Sequence, residues 1–404
     1  MSYIETFDTN IAARNTPSVD AFGRWRVSNP LTVFDSKQIN DNQPLFWDDA
    51  AVSGTGTNTA YQSNKAATRI SVADVTAGKR VRQTFQYFNY QPGKSQQILL
   101  TWGNIESATG ITKLAGYGDE RNGFFFGHDG GVAEVRKRSY ITGSAVDTSI
   151  EQDDWNIDKM DGTGVSGVTL DFSKVQIGII DMEWLGVGSV RMGFVIDGNI
   201  YYCHRFNHAN TDTSVYMSTP NLPIRYSIEN DGTGAADDFD HICSTVISEG
   251  GQSKLGTLRH YDSGEITSLS SSNTYAMVGI RLSGSYRDIT VLIENISALA
   301  TTLRDQAHWE LILNPTVAGT FTYSDLTNSA VQVATGSNSN TVTGGTVIDG
   351  GMFTDSVPTT ISTPNALRIG ADIARTNYDE IVLCVRPVTS SIDAEASLTW
   401  RELL

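Results

Sequence analysis

The sequence predicts an all-β protein, with two antiparallel β-sandwich or jelly-roll-like domains preceded by an extended N-terminal arm. Three observations support this prediction. The composition, with 37 glycines and only 18% charged residues, is typical of short strands joined by turns. Apolar residues alternate with a period of two, and turn residues recur at roughly 8 to 12 residue spacing. A chain of 404 residues is also longer than one hydrophobic core usually supports, so two domains are expected.

The first 45 residues are predicted to form an extended arm for assembly. They contain Pro17, Pro30 and Pro44, show no clean periodicity, and set apolar residues among polar ones. Such a segment gains most by lying across a neighbouring surface, with its aromatic side chains in pockets and its backbone paired to an edge strand. The alternative is that the arm wraps its own first domain. The candidate assembly contacts are Phe22, Arg24, Trp25, Arg26 and Phe34.

Residues 46–250 are predicted to form the first β-sandwich, of a jelly-roll or lectin-like type. A parallel sheet would need intervening helices, and the sequence of this region shows none. Period-two alternation and short apolar runs mark the strands. The predicted strands include 81–87, 96–102, 123–127, 168–172 and 175–184.

The clearest local signal in this domain is a β-hairpin. Asp-Gly at 197–198 lies between two strand-like runs, and both positions of a two-residue turn favour positive φ. A loop of this length would place Phe194 opposite Tyr201 and Met192 opposite Cys203.

Residues 251–404 are predicted to form the second β-sandwich, after a polar, glycine-rich boundary at Ser248–Lys254. The segment Ile296–Gln306 favours a helical turn and is interpreted as a short crossover. The polar segment Thr335–Thr346 is predicted to be a surface loop. The predicted strands are 275–282, 288–296, 309–313, 320–323, 330–334, 346–348, 367–373, 380–385 and 397–401.

Charge, hydropathy and cysteine usage exclude several classes of protein. The net charge of −16 argues against a nucleic-acid partner, because phosphate contacts need clustered Lys and Arg. An apolar run of about 18 residues and a secretory leader are both missing, so we expect no membrane partner. Three cysteines without a CxxC pair argue against a disulfide framework or a zinc ribbon. This usage fits assembly in the cytoplasm.

The charge is unevenly placed along the chain. Residues 65–138 carry 11 positive and 6 negative side chains, whereas residues 147–243 carry 5 positive and 16 negative ones. In a repeated assembly, two such regions could meet between subunits and fix their orientation. The alternative is that they are two solvated faces of one domain.

The carboxylates give little support for catalysis. Glycan hydrolysis needs two carboxyl groups flanking one bond. Adjacent residues on a strand point to opposite faces, which argues against Asp48-Asp49 and Asp153-Asp154 as such pairs. Asp181 and Glu183 would share a face, but a strand with a wet face has the same pattern. Asp237, Asp238 and Asp240 form the remaining acidic group. We predict no enzyme activity and no catalytic residue.

Metal and cofactor signals are equally weak. The two Asp-Gly-Thr-Gly runs, at 161–164 and 231–234, lack the closing Glu of a calcium loop and are explained as turns. The group of Cys203, His204 and His208, with His241 and Cys243, has the right residue types for zinc. However, Cys203 and His204 alternate across a strand and would not face one ion. Nucleophile-elbow, Walker-type and HExxH motifs are missing from the sequence. We therefore predict no metal and no cofactor.

Two parts of the chain resemble virion structural proteins of tailed bacteriophages. The first is DAFGRWRVSNPLTVFDSK at 20–37. The second comprises WELILNPTV at 309–317, Ser329–Val331 and the closing SLTWREL at 397–403. The resemblance covers the arm and much of the second domain, and the middle only loosely. It implies a particle protein and offers no catalytic residues to transfer.

The resemblance implies a place in a virion assembled in the host cytoplasm. The first interpretation is a non-enzymatic component of the tail, baseplate or fibre apparatus that docks through its arm and β domains. The alternatives are a head or neck decoration protein and a host-glycan-binding adhesin. The expected partners are other virion structural proteins and further copies of the chain, with a trimer favoured. A host surface glycan is an additional expected partner only under the adhesin interpretation.

Overall fold

A computed structural model describes residues 16–403 except 287, 302–305, 355–358, 362–368 and 389, with the backbone alone at 359–361. The described chain is almost entirely antiparallel β-structure, as the sequence predicts. It divides into two compact units, Met1–Ser253 (unit 1) and Lys254–Leu404 (unit 2).

The described residues of unit 1 form two antiparallel sheets and two short 3₁₀ helices, Ser63–Lys65 and Gln152–Asp154. Its strands are β1 Leu31–Lys37, β2 Trp47–Gly54, β3 Thr57–Gln62, β4 Ala67–Val72, β5 Gly78–Thr84, β6 Ser95–Gly103, β7 Ile111–Gly118, β8 Gly123–Asp129, β9 Val132–Ser139, β10 Val146–Glu151, β11 Gln176–Met182, β12 Val190–Ile196, β13 Asn199–Phe206, β14 Ile224–Asn230 and β15 Asp237–Glu249.

The two sheets of unit 1 enclose one core. Sheet A has the order β13-β12-β11-β6-β15-β4-β3, with β1 also paired to β15, and sheet B has the order β10-β9-β8-β7-β14-β5-β2. Alternate side chains of β6, Ile98, Leu100 and Trp102, point into the core, where the ring of Trp102 lies 5.1 Å from that of Phe126 in sheet B. Period-two burial therefore builds the sandwich that the sequence pattern predicts.

Unit 2 has its own sheets and core. Sheet C has the order β16-β28-β19-β26 with β17 on β28, sheet D has the order β22-β23-β18-β27-β20-β25, and β21 pairs with β24. Trp309 and Trp400 lie in the core. The strands are β16 Thr257–Asp262, β17 Ile266–Leu269, β18 Tyr275–Leu282, β19 Thr290–Ala300, β20 Gln306–Leu313, β21 Thr316–Val317, β22 Ser324–Asp325, β23 Val331–Thr335, β24 Val342–Thr343, β25 Thr346–Thr354, β26 Thr359–Ile361, β27 Glu380–Pro387 and β28 Ile392–Leu403.

The predicted helical turn at Ile296–Gln306 is wrong where the structure describes it. Ile296–Ala300 is the end of β19, and β20 already begins at Gln306. Ile296, Ala298 and Ala300 are buried on one side of β19, which is the period of a strand. Apolar Leu299 lies on the opposite face of the strand, which makes this segment ambiguous in the sequence. The prediction at 302–305 lies outside the described residues.

The predicted hairpin forms, with one change of register. β12 and β13 pair across Asp197-Gly198, and Phe194 lies opposite Tyr201 as expected. A β-bulge between Met192 and Gly193 then places Met192 opposite His204 and not opposite Cys203. A bulge of this kind adds one residue to one strand and shifts every later pair.

Two predicted strands do not form in the described chain. In 168–172 the backbone makes an isolated bridge between Asp161 and Thr169, and 320–323 is irregular. A third predicted strand, 367–373, lies partly outside the described residues. In its described part, 369–373, Ala371 makes only an isolated bridge to Tyr378.

The basic and acidic regions of the sequence meet inside unit 1. Lys79 ion-pairs with Glu229 at 2.6 Å, and Lys113 with Asp237 at 2.8 Å. The first contact arises because Lys79 of β5 lies opposite Glu229 of β14, whereas Lys113 of β7 reaches Asp237 at the start of β15. The pairing within one chain accounts for much of the opposite charge, so the pattern does not require contacts between subunits.

Candidate assembly site

The described part of the predicted arm lies on unit 1, and a tight turn holds its first residues. The Asp20 carboxylate accepts hydrogen bonds from the main-chain N–H and Nε of Arg24, at 2.9 and 2.8 Å, and the Asp20 main-chain N–H donates to the Arg24 carbonyl at 2.8 Å. Gly23 completes the turn at φ +76°, a conformation that favours glycine. The sequence Asp-Ala-Phe-Gly-Arg therefore encodes a closed loop and not an extended strand.

One side of this turn is buried on the outer surface of sheet A. Val19 and Ala21 are buried, although neither belongs to the sandwich core. The Val19 carbonyl accepts a hydrogen bond from Nη2 of Arg191 at 2.8 Å, and the main-chain N–H of Ala21 donates to Oγ of Ser95 at 3.3 Å. The turn is thus attached to β12 and β6.

Arg26 fixes the segment to the sheet through buried carboxylates. Its Nη2 lies 2.6 Å from Oδ2 of Asp181, and its Nε lies 2.9 Å from Oε1 of Glu249. Asp181 is fully buried, and it also pairs with Arg191 at 2.9 Å and accepts a hydrogen bond from the Tyr202 hydroxyl. We call Arg26, Asp181, Arg191, Tyr202 and Glu249 the anchor node.

The anchor node perturbs one carboxyl group strongly. Burial raises the pKa of Glu249 to about 7; the negative charge of Asp181 adds to the rise, and Arg26 opposes it. For Arg26, burial acts to lower the pKa, but the charges of its acidic neighbours hold it above its ordinary value. Arg26 therefore stays charged, whereas Glu249 changes its charge near neutral pH.

The other side of the segment exposes apolar side chains. Trp25 is 68% exposed and Val27 is 88% exposed, and Leu31 at the start of β1 is also exposed. Arg26 lies between Trp25 and Val27 in the chain and points the opposite way, into the anchor node. We call Trp25, Val27 and Leu31 the docking ridge.

Phe34 is not available as an assembly contact, which corrects the sequence prediction. It is buried in the core of unit 1, with its ring 4.9 Å from Phe88 and 6.2 Å from Trp47. β1 itself pairs with β15, so alternation turns Phe34 inward. Of the other candidates, Phe22 is half-buried beneath the Arg24 guanidinium, 4.6 Å from the ring centroid.

Several of the acidic residues considered for hydrolysis are paired with cations of unit 1. Asp238 and Asp240 both ion-pair with Arg69, at 2.8 and 2.7 Å. Asp49 pairs with the buried Arg82. Glu183 lies just beyond the end of β11. These carboxylates serve the packing of strands.

The group considered for zinc is dispersed. Cys203 lies in the core, the His208 ring stacks on Tyr216 at 3.9 Å, and His241 is hydrogen-bonded between Arg82 and Ser244. Among the described residues, no group of three or more His, Cys, Asp or Glu side chains could hold a metal ion. At both Asp-Gly-Thr-Gly runs, the Asp carboxylate accepts a hydrogen bond from the Thr main-chain N–H two residues on, at 2.8 Å.

Sequence reasoning missed the partners in the anchor node. The sequence suggests Asp181 only as a possible catalytic pair with Glu183, and it gives no sign of a role for Glu249. The signal available was an aspartate between Ile180 and Met182 of a buried strand, since a charge in that position needs a compensating cation. Nothing in the sequence showed that the cation would come from Arg26, 155 residues away.

Comparisons with known proteins give no family. No family model and no curated protein matches the chain. None of the helices in the described part of the chain has the length and hydropathy of a membrane span.

Several solved structures are similar to part of the chain at low sequence identity. The carbohydrate recognition domain of Emp47p has 10% identity and a TM-score of 0.34, over 55% of this chain and 98% of that one. A glycoside hydrolase family 16 endo-glucanase from Bacteroides ovatus has 8% identity and a TM-score of 0.35, over 53% and 99%. The CBM2 module of the evolved Dit of Lactobacillus casei BL23 phage J-1 has 7% identity and a TM-score of 0.36, over 55% and 98%. Likenesses of this size carry no information about the function of this chain.

Proposed function

We propose that the chain is a non-enzymatic structural protein of a tailed-phage particle, placed in the tail, baseplate or fibre apparatus, which joins other particle proteins through the docking ridge. The observation that carries this proposal is the two-sided N-terminal segment. Its polar side is locked into the buried anchor node, while Trp25 and Val27 face solvent. The resemblance of residues 20–37 to phage virion proteins falls on this segment.

The energetics favour a docking role for the ridge. Burying an aromatic side chain removes about 150–250 Å² from water. At about 25 cal/mol per Å², covering the 68% of Trp25 that is exposed is worth about 2.5–4 kcal/mol. The anchor node holds the segment in place beforehand, so less conformational entropy is lost when a partner binds. A rigid, exposed tryptophan is therefore suited to be the centre of an interface.

The roles of the acidic side chains support the non-enzymatic part of the proposal. Asp49, Asp181, Asp237, Asp238 and Asp240 all have Arg or Lys partners. A glycosidase needs one carboxyl group that protonates a leaving group and a second one facing it across the bond. These five carboxylates of unit 1, committed to ion pairs, do not provide this arrangement.

The proposal is tested by incorporation into particles. Phage carrying Trp25→Ser and Val27→Ser should yield particles with at least about tenfold less of this protein, because the interface loses its apolar centre. The control is Val165→Ser, at a 93% exposed valine outside the ridge. Particles are purified on a density gradient, and the protein is quantified by mass spectrometry. Normal thermal unfolding of the purified variants shows that they are folded.

Two results would contradict the proposal at different levels. Complete absence of the protein from wild-type particles would rule out a virion component. Wild-type incorporation of the double variant would rule out the ridge and leave the virion role standing. Immunogold microscopy of intact particles gives the location: gold on the tail supports the proposed place, and gold on the head or neck supports a decoration protein.

A further inference from the structure

The outer surface of sheet C contains an open cleft of about 300 Å³ that the docking function does not use. It is lined by side chains of three adjacent strands, β16, β28 and β19, and its volume lies at the lower end of the range for small-molecule sites. The lining residues are His260, Asp262, Ser297, Leu299, Glu395, Ala396 and Ser397.

The cleft forms because small side chains lie opposite one another on the paired strands β16, β28 and β19. Ser397 lies opposite both Asp262 on β16 and Ser297 on β19, so two small side chains meet at the centre. The larger side chains surround them, with Glu395 opposite Leu299 at one end. Alternation along β28 sends Leu398 and Trp400 into the core, which leaves the polar side chains on the outer surface.

The charge of the cleft is negative and uncompensated by the described residues. Asp262 accepts a hydrogen bond from the main-chain N–H of Gly264 at 3.0 Å, but no described Lys or Arg ion-pairs with it or with Glu395. On the same surface Arg401 is committed to Glu294 at 2.8 Å. This differs from unit 1, where carboxylates pair with cations of neighbouring strands.

The spacing of the two carboxylates suits a single cation. Asp262 and Glu395 are diagonal neighbours on adjacent strands, so their Cα atoms are about 7–8 Å apart. Flexible side chains at this separation can both accept hydrogen bonds from one protonated amine placed between them. His260, Asp262 and Glu395 all line the cleft, but among the described residues these side chains do not form a group that could hold a metal ion.

The other side chains of the cleft indicate which kind of molecule carries the amine. The Ser297 and Ser397 hydroxyls and the His260 imidazole can both donate and accept, as the hydroxyl groups of a sugar require. Leu299 offers an apolar wall to the C–H face of a ring. A lysine side chain of a protein partner would use the carboxylates but leave the hydroxyl groups unmatched. We propose that this cleft binds an amino sugar whose amine is free and protonated.

The test uses the full chain labelled with ¹³Cε1-histidine. The chain has six histidines, and the ring of His260 is exposed, at 3.1 Å from Oγ1 of Thr399. We expect D-glucosamine to shift the His260 signal saturably in the millimolar range, at a pH where its amine is protonated. D262N and E395Q should each weaken binding roughly threefold to tenfold. The control D349N, on β25 of sheet D, should bind as the wild type does.

Two further probes separate the alternatives. D-glucose, which lacks the amine, and Nα-acetyl-L-lysinamide, which lacks the ring, should give no saturable shift. Equal binding of glucose would overturn recognition of the amine, and equal binding of the lysine derivative would indicate a protein side chain as the occupant. Unchanged affinity in both acidic variants, or no shift with glucosamine, would also overturn the proposal. None of these outcomes depends on whether the protein is part of a particle.

Discussion

Arg26 and Arg24 are two residues apart and show how differently one side-chain type can act in one short segment. The Arg26 side chain is 18% exposed and serves two buried carboxylates, whereas the Arg24 side chain is 52% exposed and serves Asp20 within a turn. Removal of the Arg26 side chain leaves buried charge without compensation, whereas the Asp20 carboxylate, although only 6% exposed, keeps the hydrogen bond from the main-chain N–H of residue 24 when the Arg24 side chain is removed. The two arginines therefore form a matched comparison.

We predict that Arg26→Met lowers the free energy of unfolding by about 2–4 kcal/mol, because Glu249 and part of Asp181 lose their cation. Arg24→Met should lower it by less than about 1 kcal/mol. Urea unfolding followed by tryptophan fluorescence measures both. Equal effects of the two substitutions would show that the anchor node does not hold the segment.

Glu249 should make stability depend on pH. Its pKa is about 7 in the folded protein, against 4.5 without the fold, so the folded state binds the proton more tightly. The contribution is fully present below about pH 4.5 and is lost as pH rises to about 7. We predict that Glu249→Gln removes about 1–2 kcal/mol of this pH dependence, after allowance for solvent screening. Urea unfolding at a series of pH values measures how the free energy of unfolding changes with pH. Glu229→Gln is the control. The same pH dependence in Glu249→Gln as in the wild type would contradict the prediction.

At the scale of elements, strands are predicted best where a short apolar run has clear ends, whereas alternation alone placed the predicted strand 81–87 three residues beyond β5, Gly78–Thr84. The predicted strand 275–282 matches β18 residue for residue, because its ends are marked by polar and turn residues. The predicted strand 288–296 ends before β19 does, because apolar Leu299 lies on the face opposite Ile296, Ala298 and Ala300, which weakens the signal that separates a strand from a helix. Register failed only at the bulge of β12, since the extra residue has no compositional mark apart from Gly193.

Gly193 is required at that bulge by close packing. A Cβ atom there would clash with the main-chain oxygen of Tyr201, whereas at Gly198 in the turn a Cβ would meet nothing within 4 Å. We predict that Gly193→Ala lowers the free energy of unfolding by about 2–3 kcal/mol through overpacking. Gly198→Ala, at φ +77°, should lower it by only about 1 kcal/mol through backbone strain. Thermal or urea unfolding compares them, and a larger effect at Gly198 would contradict this account of the bulge.

At the scale of the whole molecule, composition and alternation predict the all-β class, but they do not predict the anchor node or the cleft of unit 2. The sequence singles out Trp25 and Arg26 because the resemblance at 20–37 falls on them, but it does not show that Arg26 turns inward to the anchor node while Trp25 faces solvent. The cleft of unit 2 was not, because it depends on which polar residues of three separate strands become neighbours. Strand order carries that information, and it arises from long-range pairing that local patterns do not encode.

The length of β15 has a consequence for how the protein is made. Its thirteen residues pair along one edge with β4 and then with β1, so the first strand of the chain is completed by the last strand of unit 1. Oγ1 of Thr245 donates to the carbonyl of Phe34, 211 residues earlier. During synthesis the N-terminal segment therefore emerges first but finds its place only after residue 249 has left the ribosome. Long-range closure of this kind slows folding. It also means that a chain that ends before residue 249 cannot hold Trp25 and Val27 in the position that the anchor node gives them.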